Sequence, residues 1–358
     1  MVIIKLMGGL GNQLQQYALY RKFISIGVPA KLDLEWFNDS TQKNMLAKRS
    51  VEIDNFPSVS YEVCSASEKK ALLGNKLTRR LAPSKIRYHH EVTPFDEELL
   101  KYTDMYLEGY YACEYYYADI LDTLRLDLRF PLDKRRDDDP FNAICEKLSS
   151  DSNSVSLHIR RGDYLDDANR NMFGGICTDE YYDAAIRFVI EHMASATSNL
   201  RYGRAEVSGR AEVSSRACGA GTPNFYIFSD DNEYAASFAS RIQEKYHVNA
   251  ETVNVNSGDN NYFDIYLMSL CRANICANST FSFWGARLNS SMETGSAQTS
   301  DPAKTVDSAQ TSDFAQGRGS CPLKIRPTKQ INSQPFDPSL MHNLWKGWTF
   351  ISPKGEIC

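Results

Sequence analysis

At 358 residues, with 42% hydrophobic and 11% aromatic content, the chain is long enough for two domains with proper cores and is neither disordered nor fibrous in composition. A net charge of −5, with basic residues interspersed among acidic ones, provides no extended cationic face for counterion release and excludes a polynucleotide partner. No run reaches the roughly 18 apolar residues of a membrane span, Met1–Met7 lacks the features of a leader, and nine scattered cysteines fit reduced thiols better than a disulfide framework.

Taken in order, Val2–Met7 predicts a buried strand and Leu14–Ile26 a helix with Leu14, Tyr17, Ala18 and Phe23 on one side. Between them, Gly8-Gly9-Leu10-Gly11-Asn12-Gln13 is a glycine-rich turn that exposes backbone N–H groups and lets phosphates or a sugar come close, although it is not the dinucleotide fingerprint. Ala30–Leu34 supplies a second strand. From 40 to 104 the pattern is irregular, with a helical stretch at Ser67–Leu81 and a polar run at Arg87–Thr93. Met105–Tyr111 reads as a strand. Cys113–Leu124 reads as a tyrosine-rich helix, serving either as plain core or as a platform for a sugar.

Lys134-Arg135-Arg136-Asp137-Asp138-Asp139-Pro140 is the clearest break in composition and predicts a solvated linker. Its Asp-x-Asp spacing carries little weight as a metal site, because it follows two arginines in a loop. The break divides the chain into 1–135, 141–330 and a tail, 331–358, in which Trp345, Trp348 and Phe350 are expected to pack back on the body. In the second part, strands at Val155–Ile159, Phe225–Phe228, Thr252–Val255, Asn274–Ala277 and Leu323–Arg326 alternate with helices near Asp179–Met193, Asn232–Tyr246, Phe263–Cys271 and Phe281–Asn289. That alternation predicts a parallel, doubly wound sheet. It is interrupted near 201–222 and 293–320, where a hexapeptide repeats in tandem (203–214) and Ser-Ala-Gln-Thr-Ser-Asp occurs at 296–301 and 308–313; these repeats read as mobile surface insertions.

Three strand ends in this part finish in polar clusters. The first is His158-Ile159-Arg160-Arg161-Gly162-Asp163-Tyr164, where Ser154, Ser156 and His158 alternate with Val155, Leu157 and Ile159. A polar face on such a strand needs a partner, and paired guanidinium groups at its end suit an anion such as a diphosphate; a structural ion-pair cluster with Asp163 is the competing reading. The second cluster is Ser229, Asp230 and Asp231, and the third is Asn278, Ser279 and Thr280, with Ser282 just beyond. In a parallel sheet these ends lie along one edge. Arg160 would neutralise a diphosphate, the hydroxyls at a helix start would bind its oxygens, and Asp230 or Asp231 would accept from guanine.

Gly8–Gln13, His158–Tyr164, Phe228-Ser229-Asp230-Asp231, and Leu267–Cys271 followed by Ala277–Trp284 together resemble the bacterial α-1,2-fucosyltransferases of glycosyltransferase family 11. The resemblance implies an α/β fold of the GT-B type, two Rossmann-like domains facing a cleft, with the acceptor glycan bound by the amino-terminal domain, 1–135, and GDP-fucose mainly by the second, 141–330. It further implies inverting, metal-independent transfer of L-fucose from GDP-fucose to the 2-hydroxyl of a terminal galactose, in O-antigen or other surface polysaccharide, on an oligosaccharide or a lipid-linked glycan. No cofactor is implied. On this reading Arg160 and Asp163 are catalytic, with Asp163 either the base or an orienting partner of Arg161. The donor is held by His158, Arg160, Arg161, Ser229, Asp230, Asp231, Asn278, Ser279, Thr280, Ser282, Gly9, Gly11, Asn12 and Gln13, and the acceptor by Tyr110, Tyr111 and Tyr164. The expected location is cytoplasmic, or peripheral at the inner membrane face. The sequence departs from the family pattern at Gln15, Ala112, Cys113, Phe283 and Arg287. Those departures leave room for a different GDP-sugar or a binding protein without catalysis.

Overall fold

The structure, a computed structural model, describes residues 1–43, 48–75, 81–93, 95–137, 139–202, 221–289 and 322–358. The chain divides into two compact units, Met1–Arg135 with Ser339–Lys346, and Arg136–Pro338 with Gly347–Cys358. Each unit is α/β and contains its own wholly parallel sheet, as expected of two Rossmann-like domains.

The first unit runs β1 (Val2–Lys5), α1 (Leu10–Ser25), β2 (Ala30–Asp33), α2 (Ala66–Leu73), β3 (Tyr88–His90), β4 (Met105–Glu108) and α3 (Leu121–Asp127), with sheet order β2-β1-β4-β3. α1 starts at Leu10, four residues earlier than its periodicity predicts. Gly8 takes a positive φ of 83° and Gly9 is the N-cap, so Gly11, Asn12 and Gln13 lie in the first helical turn. Cys113–Leu124 is not one helix. Two 3₁₀ turns, Glu114–Tyr116 and Ala118–Ile120, precede α3, because the Tyr116 hydroxyl accepts from the Asp96 N–H at 2.6 Å and Tyr117 leaves helical geometry at φ −137°. The polar run after Arg87 contains an edge strand, and the strand from Met105 stops at Glu108, ahead of Tyr111 at φ 49°.

The second unit runs α4 (Pro140–Ser150), β5 (Ser154–Ile159), α5 (Asp167–Phe173), α6 (Asp179–Tyr202), β6 (Asn224–Ser229), α7 (Asn232–Tyr246), β7 (Asn249–Thr252), α8 (Phe263–Leu270), β8 (Ala273–Ile275), α9 (Thr280–Leu288), β9 (Leu323–Pro327) and β10 (Trp348–Ile351). The sheet order is β10-β9-β8-β5-β6-β7. Trp348 and Phe350 are buried in β10, with Phe283 edge-on to Trp348 at 5.8 Å. β7 begins at Asn249, earlier than Thr252, and the tandem repeats lie outside the described residues. No helix among the described residues is long and apolar enough to cross a membrane.

All six residues of β5 are buried, as expected of a parallel strand covered on both faces. On its polar face Ser154 and Ser156 are matched from within the protein, Ser154 Oγ donating to the Asp151 carbonyl at 2.9 Å, whereas His158 Nδ1 finds no hydrogen-bond partner among the described residues. Asn274 Nδ2 donates to Ser156 Oγ at 2.7 Å and to the Met268 carbonyl at 2.7 Å, and Asn289 Nδ2 donates to Asn274 Oδ1 at 3.1 Å. The partner of Ser156 is therefore the Asn274 amide on β8.

One helical side chain is not matched in this way. Gln15 on α1 is fully buried, and neither amide atom finds a hydrogen-bond partner among the described residues. A buried, unsatisfied amide costs about 1–3 kcal/mol. Gln15→Leu, which keeps the volume and removes the polar atoms, is therefore expected to raise the unfolding free energy by about that amount in urea denaturation; a lower midpoint would refute the assignment.

Candidate active site

β8, β5 and β6 are neighbours, so the three polar clusters at their carboxyl ends are contiguous. After β5 the chain turns through a 3₁₀ segment, Gly162–Leu165, that brings both arginines against the end of β6. Arg160 donates from Nε (3.1 Å) and Nη2 (2.6 Å) to Asp163 Oδ1, and its Nη1 stands 3.0 Å from Asp230 Oδ2. Asp230 Oδ1 accepts from the Arg161 N–H at 2.8 Å. Arg161 Nε donates to Asp231 Oδ2 at 2.9 Å, with its guanidinium 3.9 Å above the Tyr234 ring. Two guanidinium groups thus share three carboxylates, the ion-pair arrangement that the sequence left as an alternative.

Backbone demands fix the cluster. A Cβ on Gly162 would lie 2.5 Å from Asp230 Oδ2, so the close approach requires glycine. Asp231 is the N-cap of α7, its Oδ1 accepting from the Tyr234 N–H at 3.0 Å. That backbone donor, and then Arg161, hold its carboxyl below the usual range. With both oxygens engaged, Asp231 is a capping and positioning residue, which leaves Asp230 as the acid facing Arg160. Ser229 Oγ accepts from the Asp231 N–H at 3.1 Å.

At the end of β8, Asn278 Nδ2 donates to the carbonyls of Phe173 and Gln330, both at 3.1 Å, and its carbonyl accepts from Tyr164 at 3.2 Å. Its side chain ties loops together. Ser279 is the N-cap of α9, with no capping bond from its side chain, and Ser282 Oγ donates to the Ser279 carbonyl at 3.1 Å. The first-turn N–H groups that begin at Thr280 make this helix start an electropositive end. The Tyr164 ring stacks on Phe173 at 4.4 Å and its hydroxyl is engaged, so Tyr164 is a packing residue and not an open acceptor platform.

His158 is buried, 6.0 Å from the Phe281 ring. Burial first, and then the Arg160 charge, lower its imidazole to about 3, so it is neutral throughout the physiological range. Its carbonyl accepts from Tyr182 at 3.0 Å.

The first unit gathers a different set. Gly9 caps α1. Gln13 Nε2 donates to the carbonyls of Gly8 and Ser50 at 2.9 Å, while its Oε1 accepts from the Glu52 N–H at 2.8 Å. The Gln13 side chain is therefore engaged in bracing the loop at Ser50, not open to a donor sugar. Gly11 is buried in the helix, and Asn12 packs against Gly8, whose Cβ position lies 2.8 Å from Asn12 Nδ2. Tyr110 is exposed, but Tyr111 is buried, its hydroxyl 3.2 Å from His89 Nδ1, which removes it as an acceptor platform. Tyr182, Tyr234 and Asn169, whose Nδ2 donates to the Asp163 carbonyl at 2.9 Å, were not legible as site residues, since each sits on a helix with an ordinary amphipathic pattern.

Comparison with known proteins follows the motifs. Residues 85–197 match the model of glycosyl transferase family 11. An alpha-1,2-colitosyltransferase of Escherichia coli is 27% identical over 289 residues, 80% of this chain and 87% of that protein. The Escherichia coli O-antigen biosynthesis glycosyltransferase WbnK is 28% identical over 306 residues, 79% of this chain and 89% of that protein. Among solved structures, an Arabidopsis thaliana FUT1 variant in complex with GDP is similar at TM-score 0.39 and 12% identity, over 80% of this chain and 68% of that one. Escherichia coli ADP-heptose heptosyltransferase II is similar at TM-score 0.32 and 12% identity, over 80% and 82%. The family model that matches is that of the family the motifs resemble.

The depressed imidazole of His158 has a consequence for stability. Between its folded value of about 3 and the ordinary imidazole value of 6.5, the unfolded chain binds a proton that the native protein does not. Stability is therefore full above the unfolded value and falls with acidification, by up to about 1.4 kcal/mol per pH unit from this group. His158→Gln is expected to flatten the difference in unfolding free energy between pH 7 and pH 5; an unchanged slope would show that His158 is not the group responsible.

Proposed function

We propose that this chain, a protein of glycosyltransferase family 11, transfers L-fucose from GDP-fucose to the 2-hydroxyl of a terminal galactose, with inversion, in the assembly of a surface polysaccharide such as O-antigen. The observation that carries the reading is the junction of Arg160, Asp163 and Asp230 with the α9 start along one sheet edge, in a chain whose motifs and relatives are those of family 11.

The reaction on this reading is a single displacement. The galactose 2-oxygen bonds to the donor's anomeric carbon as the bond to the diphosphate breaks, and the electron pair leaves on GDP. Negative charge develops on the departing oxygens, where Arg160 and the first turn of α9 supply donors without a metal or any other cofactor. The acceptor's proton goes to a carboxylate or to the donor phosphate. In the resting arrangement Asp163 is paired with Arg160; a diphosphate that competes for this guanidinium loosens that pair, so arrival of the donor frees an oxygen of the Asp163 carboxylate to meet the acceptor hydroxyl. Asp230, paired to the Arg161 backbone, keeps the arginine loop in register and accepts from the guanine edge only through whatever lone pairs remain. Colitose, the 3-deoxy analogue of fucose, gives a second reading, GDP-colitose as donor, which the name of one relative favours.

The test is incubation with each donor and a β-galactosyl disaccharide, reading GDP release and the product linkage by NMR. Preferential use of GDP-colitose selects the second reading, and a protein that merely binds releases no GDP. Arg160→Ala is expected to lower kcat about 10²–10³-fold, the scale of losing a preorganised electrostatic donor, while circular dichroism shows an intact fold; near-normal turnover would end the assignment. In Asp163→Asn, transfer unchanged relative to donor hydrolysis would hand the proton to the phosphate.

A further inference from the structure

The first unit holds a cavity of about 460 Å³ on the sheet face beside α2, lined by none of the residues of the candidate active site. That volume falls within the ~300–1,000 Å³ of small-molecule sites. The face begins apolar, with Ile3, Leu72 and Tyr106 packed together, and turns charged as the strands reach their carboxyl ends at Lys5, Asp33 and Glu108.

The charges are organised in pairs. Lys69 Nζ lies 2.6 Å from Asp33 Oδ2 and also contacts Glu35, while Asp33 accepts from the Tyr106 hydroxyl at 2.5 Å. Lys5 Nζ donates to Glu108 at 2.7 Å, and the Tyr88 hydroxyl donates to the same carboxylate at 2.8 Å. Burial opposes the charge on Asp33 and on Glu108, but the donors from lysine and tyrosine outweigh it and hold both carboxyls below their ordinary values. Aromatic faces stand among these pairs. Tyr88 stacks on Tyr106 at 6.2 Å and on His90 at 6.4 Å, and Trp36 lines the wall. An anion would meet three carboxylates with both ammonium groups already committed, and an apolar molecule would desolvate two ion pairs. A neutral polyhydroxyl ring satisfies both constraints: its hydroxyls donate to carboxylates and accept from lysine, and its C–H face lies on an aromatic ring.

We propose that this cavity is a binding site for a neutral saccharide, seated on Trp36 and Tyr88 and oriented by Glu35, Glu108 and Lys69. Its role as the seat of the acceptor's non-reacting sugar units rests on the transferase reading; saccharide binding itself does not.

The protein supplies its own reporter. Of its four tryptophans, Trp284, Trp345 and Trp348 are buried, and Trp36 is the one at the cavity. The full chain, without donor, is titrated with lactose and with N-acetyllactosamine while tryptophan emission is followed, with GDP as the anionic control. The saccharides are expected to shift the emission and GDP to leave it unchanged. Trp36→Phe abolishes the shift, and Tyr88→Ala or Glu35→Gln weakens binding about tenfold. Tyr88→Ala and Glu35→Gln change exposed side chains at the cavity and leave the Lys69–Asp33 pair in place. In transfer assays Tyr88→Ala raises the acceptor KM and leaves the donor KM alone. No emission change with either saccharide, a change that survives Trp36→Phe, or an unaltered acceptor KM in Tyr88→Ala overturns the site while transfer itself stands. A Trp36 response in a protein that transfers from no donor supports the site and removes the transferase reading.

Discussion

The approach of Asp230 to the Arg160-Arg161-Gly162 backbone is the constraint on which the candidate active site depends. It joins the ends of two adjacent strands with a carboxylate placed against one guanidinium and one backbone N–H, and it requires the absence of a side chain at Gly162. The ion pairs around it are each a quarter to two-fifths exposed, so none is worth much alone. What they supply together is orientation, because Asp231 is fixed by capping α7 and Arg161 by lying on Tyr234. Arg160 is thereby presented from a loop that the backbone, not the charge, holds in place.

The same restraint explains the buried polar face of β5. Periodicity distinguishes polar from apolar positions, but it does not distinguish water from an amide on the next strand. Ser156 is matched by Asn274, and His158 is kept neutral by burial and by the Arg160 charge, so this face belongs to the core up to the last residue of the strand. Only beyond Ile159 does the chain reach solvent, which confines ligand chemistry to the loop.

Legibility followed local determinants. α7 was read at its true ends because Asp231 caps it and His247, in the left-handed region, stops it. α4 carries an equally good signal, Asp139 as N-cap and Pro140 in the first turn, but both residues end the charged run that reads as linker, and the helix behind them is not predicted; the same cap gives Asp139 a helical duty in place of a metal-binding one. β3 and β7 are edge strands with few apolar residues, set by pairing with a neighbour and not by their own pattern. In the site, the residue types were legible and their pairing was not. Adjacent aspartates at 230 and 231 look alike in sequence and differ because one precedes the cap and the other is the cap. Tyr111 and Tyr164 read as acceptor contacts because the rings that engage them, His89 and Phe173, lie outside their own motifs.

Both units place charge at the carboxyl ends of a parallel sheet, and in both three carboxylates face two cations. The difference lies in what surrounds them. In the second unit the starts of α7 and α9 border the cluster, each bringing about half a positive charge, and Arg160 can present two planar N–H groups to a diphosphate. In the first unit the lysines are point charges already committed to Asp33 and Glu108, α2 lends its side and not its start, and the remaining wall is aromatic. On the proposed function and the proposed saccharide site, equal formal charge therefore selects opposite ligands: an anion where helix dipoles and forked donors converge, a neutral ring where paired charges alternate with aromatic faces. A glycosyl transfer needs one of each.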